Sequence, residues 1–230
     1  MGRSKKSEWR YVRRSMASAI PEKKIVGMEW CRQNSETFLD QATMQEFFTF
    51  EANNIYTPEG GVATKDAPWG YDYLIGPQGG TGMYRLWRVL KCEWQMDMHM
   101  DVDAGFDKVI CCALDTNNNK ILGQSTEHVV ENPYVYSRIL YAPGGTGSRA
   151  GKIHMSGKLN VEKQLNLHDG AGINGLKKTV DGGVPNPLLR MQFYYANFPG
   201  NSGASVVYWT CRLKFLVEFS NPNDLPTEEP

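Results

Sequence analysis

From Val206 to Phe219 the chain reads VVYWTCRLKFLVEF, and every odd position is apolar: Val207, Trp209, Cys211, Leu213, Phe215, Val217 and Phe219. The even positions include Thr210, Arg212, Lys214 and Glu218. A period of two over this length predicts a long strand with one face buried and one exposed. Asn221-Pro222 ends it. The same alternation runs from Tyr84 to Val102, with Arg88 the one interruption among the even apolar positions. Nineteen residues exceed the usual strand length, so a bend or bulge is expected inside it. Ile153–Val161 and Leu189–Tyr195 alternate likewise, and Lys24–Trp30, Phe47–Ala52, Val109–Leu114 and Tyr134–Tyr141 are shorter strand candidates.

Helical signals are sparse. Val161–Leu167 and Ser125–Glu131 each fit one or two turns, the second stopped by Asn132-Pro133. Asn34 or Ser35 could cap a helix over 34–46. Gly-rich loops (EGG, GPQGGTG, APGGTG, DGAG, DGG) separate the strands. Seven or eight strands with such loops and almost no helix predict an all-β sandwich or barrel. The chain divides into an N-terminal arm over 1–24, a folded domain over 25–222 and an acidic, Pro-rich tail over 223–230.

At 230 residues and 41% hydrophobic content, the chain can build one sizeable core. No apolar run is long enough for a transmembrane helix, so no membrane partner is expected. The polar, basic N-terminus argues against a secretory signal. Five cysteines without a CxxC pair suggest reduced, buried thiols.

Charge changes the picture. The formal net charge is zero, yet residues 1–24 hold eight basic and two acidic side chains, a balance of +6, and the remainder is −6. A basic leader on an acidic body points to a polyanionic partner. Arg3, Lys5, Lys6, Arg10, Arg13 and Arg14 are the candidate phosphate contacts, and Trp9 and Tyr11 lie among them where they could stack on unpaired bases or tuck the arm under a neighbouring subunit.

The segment EWQMDMHMDVDAGFD places Asp97, His99, Asp101 and Asp103 on one face of a strand, which is either a Ca²⁺ or Mg²⁺ site or a solvated, salt-bridged face. It is not an EF-hand loop, since Val102 and Lys108 occupy the positions that need glycine and glutamate. Gly145, Gly147 and Ala150 match a dinucleotide fingerprint loosely, but a strand pattern follows where a helix is required. GNSGA around Ser202 misses a nucleophile elbow by one residue, and the four histidines are dispersed. No motif makes a case for an enzyme, and no cofactor is expected.

A basic arm is followed by GPQGGTGMYRLWRVLKCEWQM, then KIHMSGKLNVEKQLN, then NPLLRMQFYYANFPG, then a closing strand ending in VEFSNP. This order of parts resembles the capsid proteins of circular Rep-encoding single-stranded DNA viruses. The resemblance spans roughly residues 45–222. It implies a single eight-stranded jelly-roll β-sandwich with long loops, self-assembly into a T=1 shell of 60 copies, residence in the virion, and assembly in the host nucleus or cytoplasm. It implies single-stranded nucleic acid as cargo, with DNA favoured over RNA. Arg85 and Arg88 fall where that family carries an arginine, and with Lys91, Lys152 and Lys158 they are candidate wall cations. The arm is shorter and less arginine-rich than in many such proteins. Sixty arms would carry fewer positive charges than the nucleotides needed to encode this chain, so wall residues, metal ions or polyamines must complete neutralisation. Trp69, Tyr71 and Tyr73 fit either interface anchors or packing on their own sandwich. The other reading from the residues is a non-viral β-sandwich module that binds carbohydrate or a protein ligand as a monomer or small oligomer.

Overall fold

A computed structural model describes residues 21–60, 66–76, 82–101, 106–115, 121–143, 151–164, 178–179, 185 and 188–223. The elements in chain order are β1 (Lys23–Phe38), β2 (Gln45–Glu51), α1 (Tyr71–Leu74), β3 (Tyr84–Met100), β4 (Lys108–Asp115), α2 (Thr126–Val130), β5 (Tyr136–Leu140), β6 (Lys152–Asn160), α3 (Val161–Gln164), β7 (Lys178–Thr179), β8 (Arg190–Asn197) and β9 (Ser205–Pro222). Lys23 and Lys24 therefore belong to the first strand rather than to the leader.

Two antiparallel sheets form, one ordered β1-β9-β3-β6 with the short β7 beside β3, the other β2-β8-β4-β5. With β7 set aside, the outermost strands pair with each other, the next pair inside them, and so on to β4 with β5. That nesting is one long antiparallel ribbon. The β9–β3 and β8–β4 ladders roll it into two facing sheets. This is the eight-stranded jelly roll.

The core lies between the sheets. Trp94 meets Phe193 edge-on, with ring centroids 5.6 Å apart at 83°, and Trp209 lies 4.5 Å from Phe48. Gly157 faces Trp94 across the β3–β6 ladder, and a Cβ there would sit 2.6 Å from the indole nitrogen, so glycine makes room for the ring. The second sheet is covered on its other face too, where Met44, Val109, Cys111, Ala113, Ile121, Val129, Tyr194 and Ala196 form a smaller cluster. That double cover explains the continuous apolar run at Val109–Leu114, because a strand buried on both faces does not alternate. Cys111 packs in the small cluster and Cys112 in the main core, and burial pushes both thiols up to about 12. All five cysteines are free, and four are buried.

The expected break in the long third strand is a bulge at Leu90, where the register with β9 shifts between Val89 and Lys91. Past the bulge the buried phase moves from odd to even numbers: Trp87 and Val89 are buried before it, and Cys92, Trp94, Met96, Met98 and Met100 after it. Arg88, the apparent interruption of the pattern, is on the outward phase of the strand's first half. The expected helix over 34–46 is not formed. Asn34–Phe38 continue β1, paired residue for residue with Trp209–Ser205, and Gln45 already begins β2. The ladder to β9 satisfies this backbone more completely than a short polar helix would. Ser125 does cap α2, its hydroxyl accepting from the His128 N–H at 3.4 Å.

Candidate nucleic-acid interface

The outer face of the β1-β9-β3-β6 sheet gathers most of the polar positions that alternate with the core. Pairing registers align these side chains in rows across four strands. One row reads Glu29, Lys214, Glu93, Lys158. Its neighbours read Cys31, Arg212, Gln95, Ser156 and then Gln33, Thr210, Asp97, His154. The next holds Ser35, Tyr208, His99 and Lys152, and on the far side Lys91 stands between Leu216 and Asn160. Directly opposed residues in a sheet interact most strongly, so opposite charges in a row stabilise it.

Lys214 Nζ lies 3.0 Å from Glu29, and Lys158 Nζ 2.7 Å from Glu93. The hydrogen bond and charge of Lys158, followed by Lys214 and Lys91, hold the Glu93 carboxyl below its ordinary value. Asp97 is held by His154 Nδ1 at 2.7 Å and Arg212 Nη1 at 3.3 Å. His99 stacks on Tyr208 with centroids 5.1 Å apart, and the Tyr208 hydroxyl donates to Asp101 at 3.5 Å. Five cations (Lys91, Lys152, Lys158, Arg212, Lys214) stand beside four carboxylates (Glu29, Glu93, Asp97, Asp101) in these rows, and Arg88 farther along the same face meets Glu218 and Glu162, so the face is charge-dense and nearly balanced. Lys91 and Lys152 make no salt bridge among the described residues.

The predicted site residues separate under this geometry. Arg88 is turned into the structure: its Nε and Nη2 each lie 3.1 Å from a Glu218 oxygen, and Nη1 lies 3.0 Å from Glu162. Three of its five N–H donors are taken and its charge is met by two carboxylates, so Arg88 serves the fold rather than phosphate. Arg85 is exposed and donates to Asn223 at 2.5 Å. Arg3, Lys5, Lys6, Trp9, Arg10, Tyr11, Arg13 and Arg14 lie outside the described residues, as does Asp103. Asp97, His99 and Asp101 share their strand face as expected, but both oxygens of Asp97 are held by protein partners. No three His, Cys, Asp or Glu side chains among the described residues are grouped to hold a metal. Among the described residues the Asp97 carboxylate belongs to a salt-bridged face. Arg212 and Lys214 were missed as candidates. Their alternation with the core of β9 was visible, but the register that sets them beside Glu93 and Asp97 was not.

The aromatic loop divides as well. Tyr71 is buried, whereas Trp69 is 96% and Tyr73 72% exposed. They flank an open groove of about 760 Å³ beside Lys24 and Met28 of β1.

No protein-family profile matches the chain, and no curated protein sequence is similar to it. Its fold does have solved counterparts. The 60-mer BFDV capsid protein is 12% identical, with 90% of this chain and all of that one aligned at a TM-score of 0.43. The empty head of Turnip Yellow Mosaic Virus is 9% identical over 93% of this chain and 89% of that one, at 0.42. The T=3 Penaeus vannamei nodavirus is 12% identical over 92% of this chain and 58% of that one, at 0.41. At these identities and scores the likeness adds nothing to the argument. The strand order already defines the chain as a jelly roll, and these viral capsid jelly rolls are similar to it.

Proposed function

We propose that the chain is the structural subunit of a small icosahedral virus shell, a T=1 particle of 60 copies that packages single-stranded nucleic acid, circular DNA in preference to RNA. One observation carries this reading: a leader with six basic and two acidic side chains over residues 1–22 enters directly into the first strand of an eight-stranded roll. In such a design the roll meets copies of itself under closed symmetry. The leader then neutralises phosphate without reading sequence. Arg3, Lys5, Lys6, Arg10, Arg13 and Arg14 supply the phosphate contacts, with Trp9 and Tyr11 stacking on bases. The leader joins the sheet whose outer face carries Lys91 and Lys152, which make no salt bridge among the described residues, and these, with Lys158, Arg212 and Lys214, form the wall that supplements it.

A second reading has a specific basis in Trp69 and Tyr73. Exposed aromatics beside an open groove suit the flat face of a saccharide, and a β-sandwich module could bind one as a monomer. Electron microscopy of the purified protein, with nuclease treatment of whatever nucleic acid copurifies, separates the two. Closed particles of uniform size holding nuclease-protected single strands are expected. Isolated subunits in every buffer, without retained nucleic acid, would refute the shell.

A further inference from the structure

We propose that Lys108 and Asn197 become joined by an intramolecular isopeptide bond, formed by the fold itself with Asp40 carrying the proton. Lys108 opens β4 and Asn197 closes β8, and the two are directly paired across adjacent antiparallel strands. Lys108 is fully buried and Asn197 is 6% exposed. The lysine Nζ donates to the Asn197 side-chain carbonyl Oδ1, to the Leu39 carbonyl at 3.1 Å and to the Gly203 carbonyl at 2.6 Å. The Asn197 Nδ2 donates in turn to Asp40 Oδ1. An amine, a carboxamide and a carboxylate thus stand in one hydrogen-bonded line.

The environment of the lysine is what calls for explanation. Lysine is almost never fully buried unless a carboxylate pairs with it. Lys108 has no salt bridge among the described residues, and the Asp40 carboxylate that acts on it is hydrogen-bonded to the amide of Asn197. Three acceptors suit an ammonium group, so the protonated form is the resting one. Burial nevertheless lowers the proton affinity of Lys108, with Asp40 opposing that shift, which brings the free amine within reach.

The reaction balances without any other reagent. The free Nζ of Lys108 attacks Cγ of Asn197, and a Cγ–Nζ bond forms. Asp40, already hydrogen-bonded to Nδ2, takes a proton released from Nζ and delivers it to Nδ2. The Cγ–Nδ2 bond breaks, and ammonia leaves past Asp40, which is exposed. One amine and one carboxamide give one substituted amide and one ammonia. Nothing is oxidised or reduced, and a buried charge is replaced by a neutral amide. The event occurs once per chain and is a self-modification.

Intact mass spectrometry of the denatured full-length chain reads the outcome directly. The folded protein should be lighter than its sequence by one ammonia. Its tryptic digest should resist cleavage after Lys108 and contain a branched peptide joining Lys108 to Asn197. Conversion should quicken as the buffer moves from mildly acidic to mildly alkaline, because the free amine is the nucleophile. Asp40→Asn, at an exposed position, should convert on the order of 100-fold more slowly. Lys108→Met should keep its full sequence mass. A wild-type chain that stays at sequence mass after prolonged alkaline incubation would overturn the proposal. So would ammonia loss that persists in Lys108→Met, since Asn197 would then be cyclising on itself. An Asp40→Asn chain that links at the parental rate would remove Asp40 from the mechanism.

Discussion

Arg88 bridges two parts of the molecule that lie far apart in sequence. Its side chain is 14% exposed and that of Glu218 9%, so both charges sit largely out of water. Removing one partner of such a pair leaves the other charge desolvated and alone. Arg88→Met should therefore cost about 3 kcal/mol in urea unfolding. Arg85→Met, at an exposed position, should stay within about 0.5 kcal/mol. The alternation set Arg85 among the polar positions but left Arg88 as an interruption of the apolar ones, because the bulge that moves it outward was not located. It could not choose between phosphate and Glu218 as the partner of Arg88, because that choice depends on a strand 130 residues away.

At the level of elements, the bulge at Leu90 does the most to shape the sheet. Upstream of it, Trp87 and Val89 point inward; downstream, Cys92 and Trp94 do. Deleting Leu90 would leave all four in phase and remove only the bulge, so the variant should still melt cooperatively by circular dichroism. Deleting Gln95 would turn every side chain of the first half to the opposite face, since one residue reverses a strand's sides. That variant should show no cooperative transition. The same rule governs what was legible. Strands β3, β6 and β9 bury one face and announced themselves by alternation, as did the start of β8 before Tyr194 and Ala196 enter the second cluster. The far half of β1 did not, because Asn34, Ser35 and Glu36 carry turn and cap preferences that pairing with β9 overrides. The rows of charge on the outer face were legible strand by strand but not as a surface, because register is a property of two strands and not of one.

For the whole molecule, the decisive division is between roll and leader. β1 starts at Lys23, and its ladder to β9 is complete from that residue onward. Deleting residues 1–20 should therefore leave the melting temperature of the roll unchanged and reduce the nucleic acid recovered in purified particles severalfold. Binding of an oligonucleotide by the intact chain should weaken steeply between about 50 and 200 mM salt, as counterion release requires of phosphate contacts. A deletion that unfolds the roll would place the leader in the core and refute the division.

Cys31 stands among the charge rows as the one exposed thiol of the five, on the outer face of the β1-β9-β3-β6 sheet. Every copy thus offers a single handle to a maleimide. A bulky reagent that couples to free subunits but is excluded after they associate would mark that sheet as the lining of a container. Equal coupling in both states would turn it to the outside.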